Sequence, residues 1–135
     1  MLTISLPYSI YRVPIDSKGS VVNLSKNSQG RYGAGHQRLI RKARRQMAED
    51  TSLLMRGTGW PTMTTPLVMD ATIKTRTRSK KDDDGAIMGL VSARDSIAVA
   101  LGINDSEISS GKIEFQVGIP EETEIRVYAL ESSRA

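Results

Sequence analysis

Leu2, Ile4, Leu6, Tyr8 and Ile10 alternate with Thr3, Ser5, Pro7 and Ser9, the two-residue period of a strand buried on one side. Pro7 cannot donate to a ladder, which places this strand at an edge or an early bend. From Gly35 to Leu54 the period changes. Leu39, Ile40, Ala43, Met47 and Leu54 gather on one side of a helix, while Arg38, Arg41, Lys42, Arg44 and Arg45 cover the rest,. Gly57-Thr58-Gly59-Trp60-Pro61 breaks that helix, with Trp60 read as a core or hinge anchor,. Alternation returns in residues 67–78, where Leu67, Met69, Ala71 and Ile73 share one face. Val68, Asp70, Thr72, Lys74, Arg76 and Arg78 share the other, which becomes purely basic toward its end,.

Three aspartates, Asp82, Asp83 and Asp84, follow Lys80 and Lys81. Asp is favoured at the start of a helix, where it meets unpaired N–H groups and the positive end of the dipole. A second helix is therefore expected there, with Ile87, Leu90, Val91, Ile97, Ala98 and Leu101 as its apolar stripe and Gly102 as its stop,. Arg94 interrupts the stripe, so its charge must pair, reach solvent or face a site. Ile113, Phe115 and Val117 form one further strand and Ile125, Val127 and Ala129 another. With Gly118-Ile119-Pro120-Glu121-Glu122 between them they read as a hairpin, acidic on its polar side at Glu114 and Glu124,. The order strand-helix-strand-helix-strand-strand predicts a single α+β domain, a mixed β-sheet with two helices packed on it.

Composition narrows the chemistry. A chain of 135 residues with 39% hydrophobic content suits one domain with a true core,. Without cysteine there is neither a disulfide nor a thiolate site, so a bound metal must rest on carboxylates, histidine, backbone or water,. No apolar run reaches the ~20 residues of a membrane span, and the start lacks a charged leader before an apolar block, which points to a soluble, cytoplasmic protein. Net charge is +4, but unevenly placed: from Asp95 onward eight acidic residues face three basic ones. The front of the chain is thus strongly positive, and nucleic acid is its natural partner, with a merely solvated basic surface as the alternative. Residues 14–35, rich in Ser, Gly, Asn and Lys, read as a long mobile basic loop carrying Lys18, Lys26 and Arg31,. The first helix and the strand running to Lys81 hold ten of the 19 basic residues, a distribution that favours one shared phosphate-binding track. Neither segment has interleaved aromatic residues for base stacking.

Cations beside carboxylates are the ingredients of phosphodiester hydrolysis. The reaction needs an activated water and a stabiliser for charge on the non-bridging oxygens, both of which Mg²⁺ supplies, bound by a few carboxylates. If the strand continues into them, Asp82 and Asp84 point to the same side and Asp83 to the other. Asp105 is the candidate third ligand. Three aspartates before a helix also serve as simple caps, and that reading stays open.

Asp82-Asp83-Asp84-Gly85-Ala86-Ile87 and the run from Ala93 through Ala100-Leu101-Gly102 to Asn104-Asp105-Ser106 resemble the RusA family of crossover junction endodeoxyribonucleases, common in phages and prophages. That family has an Asp-x-Asp-Asn start, a helix ending near Ala-Leu-Gly, an Asp-Asp pair after it, and a basic strand before the first aspartates. It also has a basic first helix often opened near a histidine, as His36 is here. About 25 residues carry the specific motif. The resemblance implies a homodimer that binds four-way DNA (Holliday) junctions and resolves them with Mg²⁺ or Mn²⁺ in recombination and repair, using Asp82, Asp84 and Asp105. The basic residues Lys74, Arg76, Arg78, Lys80, Lys81, Arg38, Arg41, Lys42 and Arg45 would hold DNA. Three positions depart from the pattern. Gly85 replaces the Asn, Asn104 replaces the first acid of the later pair, and Ile87, Met88 and Val91 stand where a lysine is expected. Arg94 or Lys81 is the substitute for that lysine; without one, a nucleic-acid-binding protein with a decayed acidic site is the alternative. A straight helix from Gly85 to Leu101 would be ~25 Å long. Asp84 and Asp105 would then share a metal only through a broken helix or a partner subunit. His36 is read as structural.

Overall fold

A computed structural model describes residues 1–24, 34–57, 63–76, 86 and 89–130. They form the expected α+β arrangement, a four-stranded mixed sheet with helices on one face. Strand β1 (Leu2–Leu6) buries Leu2, Ile4 and Leu6 and exposes Thr3 and Ser5, as the alternation requires,. It lies at the sheet edge, consistent with Pro7 just beyond it,.

Residues 14–24 depart from the expected loop. Strands β2 (Val13–Pro14) and β3 (Val21–Val22) pair antiparallel, and Val13, Val22 and Leu24 are buried. Asp16 closes the turn by accepting from the N–H groups of Lys18 and Ser20, at 2.9 and 3.1 Å. An aspartate bonding its own backbone two residues on is a turn device that a search for periodicity does not detect. Residues 25–33 lie outside the described residues.

Helix α1 (Ala34–Gly57) spans the predicted helix and one turn more. Its buried positions are Ile40, Ala43, Met47, Thr51 and Met55, a narrow stripe at three- and four-residue spacing. Leu39, expected on that stripe, is 41% exposed, because the stripe runs through Ile40 and the adjacent position turns about 100° away,. Strand β4 (Leu67–Thr75) has the predicted face, with Leu67, Met69, Ala71 and Ile73 buried. Helix α2 (Val91–Leu101) ends at Gly102, whose φ of 71° lies in the left-handed region and whose N–H reaches back to Val99,. Upstream of it, the Ala86 carbonyl accepts from the Leu90 N–H at 3.1 Å. The three aspartates proposed as its cap lie outside the described residues. Ser96 Oγ donates to the Ala48 carbonyl and ties α2 to α1.

The two last strands, β5 (Ile108–Val117) and β6 (Glu122–Ala129), are not a hairpin. The sheet order is β1-β6-β4-β5, with β4 lying between them, parallel to β5 and antiparallel to β6. Their connection steps across the end of β4. Gly118 donates to the Thr75 carbonyl at 2.8 Å, and the Arg76 N–H donates to Glu121 at 3.1 Å. Two strand spacings amount to only ~10 Å, so a short link reaches the next-but-one strand as easily as the adjacent one. The β4–α2–β5 segment is the helical crossover that parallel strands require.

Candidate functional site

Four of the cations expected to meet DNA share the outer side of α1. Arg38, Arg41, Lys42 and Arg45 follow one another at helical spacing, all are exposed, and none forms an ion pair among the described residues. The stripe that packs Ile40, Ala43 and Met47 inward forces these positions outward, so one periodicity creates both the core face and the charged face. Burying Ile40 and Met47 contributes ~1.5–3 kcal/mol each, which holds the helix against the mutual repulsion of its cations.

Lys74 and Arg76 are placed differently. Lys74 belongs to the β4 face opposite the helices, and its Nζ lies 3.8 Å from Glu122 on β6. Arg76 follows the strand's end with an exposed side chain, and its backbone N–H is held by Glu121, which also pairs with Arg12 Nε at 3.3 Å. The described part of the fold therefore does not bring Lys74 together with the α1 cations. Arg78, Lys80, Lys81, Asp82 and Asp84 lie outside the described residues, as does Trp60. His36 falls in the first turn of α1, and its side chain is outside the description.

Asp105 opens a short 3₁₀ turn, Asp105–Glu107, directly after α2. Its neighbours are occupied structurally. Asn104 accepts from the Ser106 N–H at 2.9 Å, and Glu107 accepts from the Asn104 N–H at 3.2 Å, a reciprocal capping box,. Asn104 thus caps the turn with a neutral side-chain carbonyl, without adding charge,. Asp105 is left exposed and free of that duty.

A residue that sequence reasoning passed over stands against it. Asp95 on α2 reaches across to Asp105, and its carboxyl is held above the usual carboxylate range, first by partial loss of solvent, then by the hydrogen bond with Asp105 and its charge; Arg94 acts in the opposite sense. Asp95 Oδ1 is buried with no donor among the described residues. Two carboxylates offer only acceptors, so they share a proton or attract a cation. The available signal was Asp95 lying within the same motif as Asp105, ten residues upstream.

Arg94 is half-buried and lines a small cavity of about 10 Å³ with Met69, Leu90, Val91, Ser110 and Ile113; its Nε is buried without a hydrogen-bond partner among the described residues. It neither forms an ion pair among the described residues nor reaches solvent fully. A paired carboxyl group with hard oxygen donors and one orphaned oxygen is compatible with Mg²⁺ or Mn²⁺. Among the described residues, no group of three or more His, Cys, Asp or Glu could hold a metal ion. No helix among them is long and apolar enough to cross a membrane. Compared with known protein families and with curated proteins, the sequence matches none.

Proposed function

We propose that this protein is a metal-dependent, structure-selective DNA endonuclease that cuts four-way junctions by phosphodiester hydrolysis, as its resemblance to the RusA family implies. The observation that carries the reading is the free cationic side of α1, in one molecule with a carboxyl pair, Asp95 and Asp105, at the position the family motif reserves for a catalytic acid. Four cations at one helical face suit a phosphate backbone better than a protein surface, because they gain most where counterions are released.

Asp105 and Asp95, with Asp82 and Asp84 from the preceding motif, would hold Mg²⁺ or Mn²⁺. When bound, the metal supplies charge stabilisation and a water nucleophilic at neutral pH. Asp95 has the further role of fixing the orientation of Asp105, since the two carboxyl groups share a proton when no cation is present. Arg38, Arg41, Lys42 and Arg45 hold the backbone. The cytoplasm of a bacterial host, where recombining chromosomal or phage DNA lies, is the compartment this activity requires, and a symmetric homodimer would cut both strands.

The second reading is a binding protein with a decayed acidic site, favoured by Asn104 serving as a cap and by Arg94, the lysine substitute, facing an interior cavity. Incubation with a labelled four-way junction and Mg²⁺ separates the two. Cutting by the natural chain that is lost in Asp84→Asn and in Asp105→Asn, with junction binding retained, supports the endonuclease. Binding without cutting by the natural chain supports the second reading, and no binding at low salt removes both.

A further inference from the structure

An open groove of about 410 Å³ lies where the second half of α1 meets the segments leaving β1 and β2. Among the described residues it is lined by Pro7, Tyr8, Pro14, Asp50, Leu53 and Leu54, and Asp50 is the one charge in that lining. Gln46, Asp50, Leu53 and Leu54 follow at three- and four-residue spacing, so they share a side of α1 next to the buried stripe of Met47, Thr51 and Met55,.

The half-buried carboxylate is held from two sides. The Tyr8 hydroxyl donates to Asp50 Oδ2 at 2.7 Å, and Gln46 Nε2 donates to Oδ1 at 3.0 Å. Burial first, then the hydrogen bond with Asp50 and its charge, push the Tyr8 hydroxyl above its ordinary range, so it remains a donor,. Thr123 Oγ1 donates to the Tyr8 carbonyl at 2.9 Å and fixes the backbone behind the ring. A carboxylate accepts about four hydrogen bonds, which leaves each oxygen of Asp50 an acceptor position. No cation among the described residues pairs with it. A half-buried charge walled by prolines and leucines has lost solvation that two neutral donors restore only in part.

We propose that this groove binds an arginine side chain presented, between apolar neighbours, by an extended segment of a partner protein. A guanidinium offers two parallel N–H groups, one for each oxygen, where an ammonium offers a point charge. It is also the more weakly hydrated cation, so it enters an apolar groove at lower cost. Leu53, 60% exposed, and Leu54 extend the surface beyond the carboxylate; a small free cation would leave them in water, and apolar residues beside the arginine cover them. Leu53 also borders the adjoining groove that holds Ala48 and Ser52, so the space continues along α1 for a chain to follow. Asp50 repels phosphate, so this partner is not nucleic acid and the inference does not rest on the endonuclease reading.

Titration of the full chain, with labelled leucine methyl groups followed by NMR, tests the groove. The probe is a capped tripeptide of arginine between two leucines. It should shift the Leu53 and Leu54 methyl resonances with a dissociation constant of about 1 mM or tighter. The same peptide with citrulline, which keeps the shape and loses the charge, should bind at least about tenfold more weakly. Asp50→Asn should weaken the arginine peptide by about the same factor, since it retains an acceptor for Tyr8 and removes the charge. Leu53→Ser should weaken it about threefold and leave the melting temperature near that of the natural chain, because the side chain is already largely in solvent. If Asp50→Asn fails to fold, the citrulline comparison on the natural chain decides alone. Binding weaker than about 1 mM overturns the proposal, as does a citrulline or lysine peptide bound as tightly as the arginine one. Methylguanidinium binding as tightly as the peptide overturns it too, because the site would then serve a small free cation.

Discussion

Asp70 sits in the middle of β4 and anchors a register shift. Met69 pairs with Ser110 and Ala71 with Ile113, so Gly111 and Lys112 together face Asp70. Its carboxylate fills the bulge, accepting from the Lys112 N–H at 2.8 Å and from the Tyr128 hydroxyl at 3.0 Å. A Cβ at Gly111 would overlap Asp70 Oδ1 and lie 2.7 Å from Val68 Cγ1, so glycine is required here by close approach and not by backbone angle. Gly111→Ala should cost ~2 kcal/mol in chemical denaturation. Asp70→Ala removes the bonds but makes room, so the double variant should be less destabilised than the sum of the single ones by ~1 kcal/mol. Strict additivity would show that the crowding lies elsewhere. Asp95 gives a second test at this scale, one of pH. Its folded-state carboxyl titrates above its unfolded value, so the folded state binds the proton more tightly and ionisation costs stability as pH rises through the folded value. Asp95→Asn should therefore melt higher than the natural chain at neutral pH, with the advantage shrinking as the solution is acidified toward the ordinary carboxylate range near 4. The gain is below ~1 kcal/mol because solvent screens the pair. An advantage that grows on acidification would contradict the shared proton.

Elements show where sequence reading succeeds and where it stops. The faces of β1, β4 and α1 were legible because each element packs one side against the core, and a buried side must repeat with the period of its own backbone. Gly102 was legible as a stop for a related reason, since its left-handed backbone penalises any other residue,. The neighbours of β5 and β6 were not legible. Alternation in Ile113, Phe115 and Val117 reveals which side of a strand is buried but not which neighbour takes its backbone groups, and β6 is already flanked by β1 and β4. Asp95 was missed because a charge on a helix has many solvated explanations until the fold brings Asp105 beside it. Packing between elements also leaves a test inside α1. Thr51 is fully buried and its hydroxyl finds no partner among the described residues, a desolvation loss with nothing there to offset it. Thr51→Val keeps the shape and removes the loss, so it should raise stability by ~1 kcal/mol in denaturant titration. A destabilised variant would show that the hydroxyl is satisfied in solution.

At the scale of the whole molecule, Lys74 stands on a different side of the protein from the α1 cations that the sequence joined with it in one track. The β4 face opposite the helices is compensated charge by charge, Lys74 with Glu122 and Arg126 with Glu124. On the outer side of α1, Arg38, Arg41, Lys42 and Arg45 form no ion pair among the described residues and stand in solvent, Lys42 within the electrostatic reach of Asp16. Among the described residues, a polyanion therefore meets an attractive potential on the outer side of α1 and a nearly neutral one on the sheet. Binding of duplex or four-way DNA, measured by fluorescence anisotropy over a range of salt, distinguishes the sides. If Arg38, Arg41, Lys42 and Arg45 each neutralise one phosphate, the logarithm of affinity should fall against the logarithm of salt with a slope of magnitude ~3.6 or more. Arg41→Gln should reduce that magnitude by ~0.9 and weaken binding to all sequences alike, as loss of a phosphate contact does. Lys74→Gln should leave the slope within ~0.3 of its original value, because that ammonium is already neutralised and points away. Equal losses from the two substitutions would mean that DNA wraps from the helical side around to the sheet, and the single-sided surface would have to be abandoned.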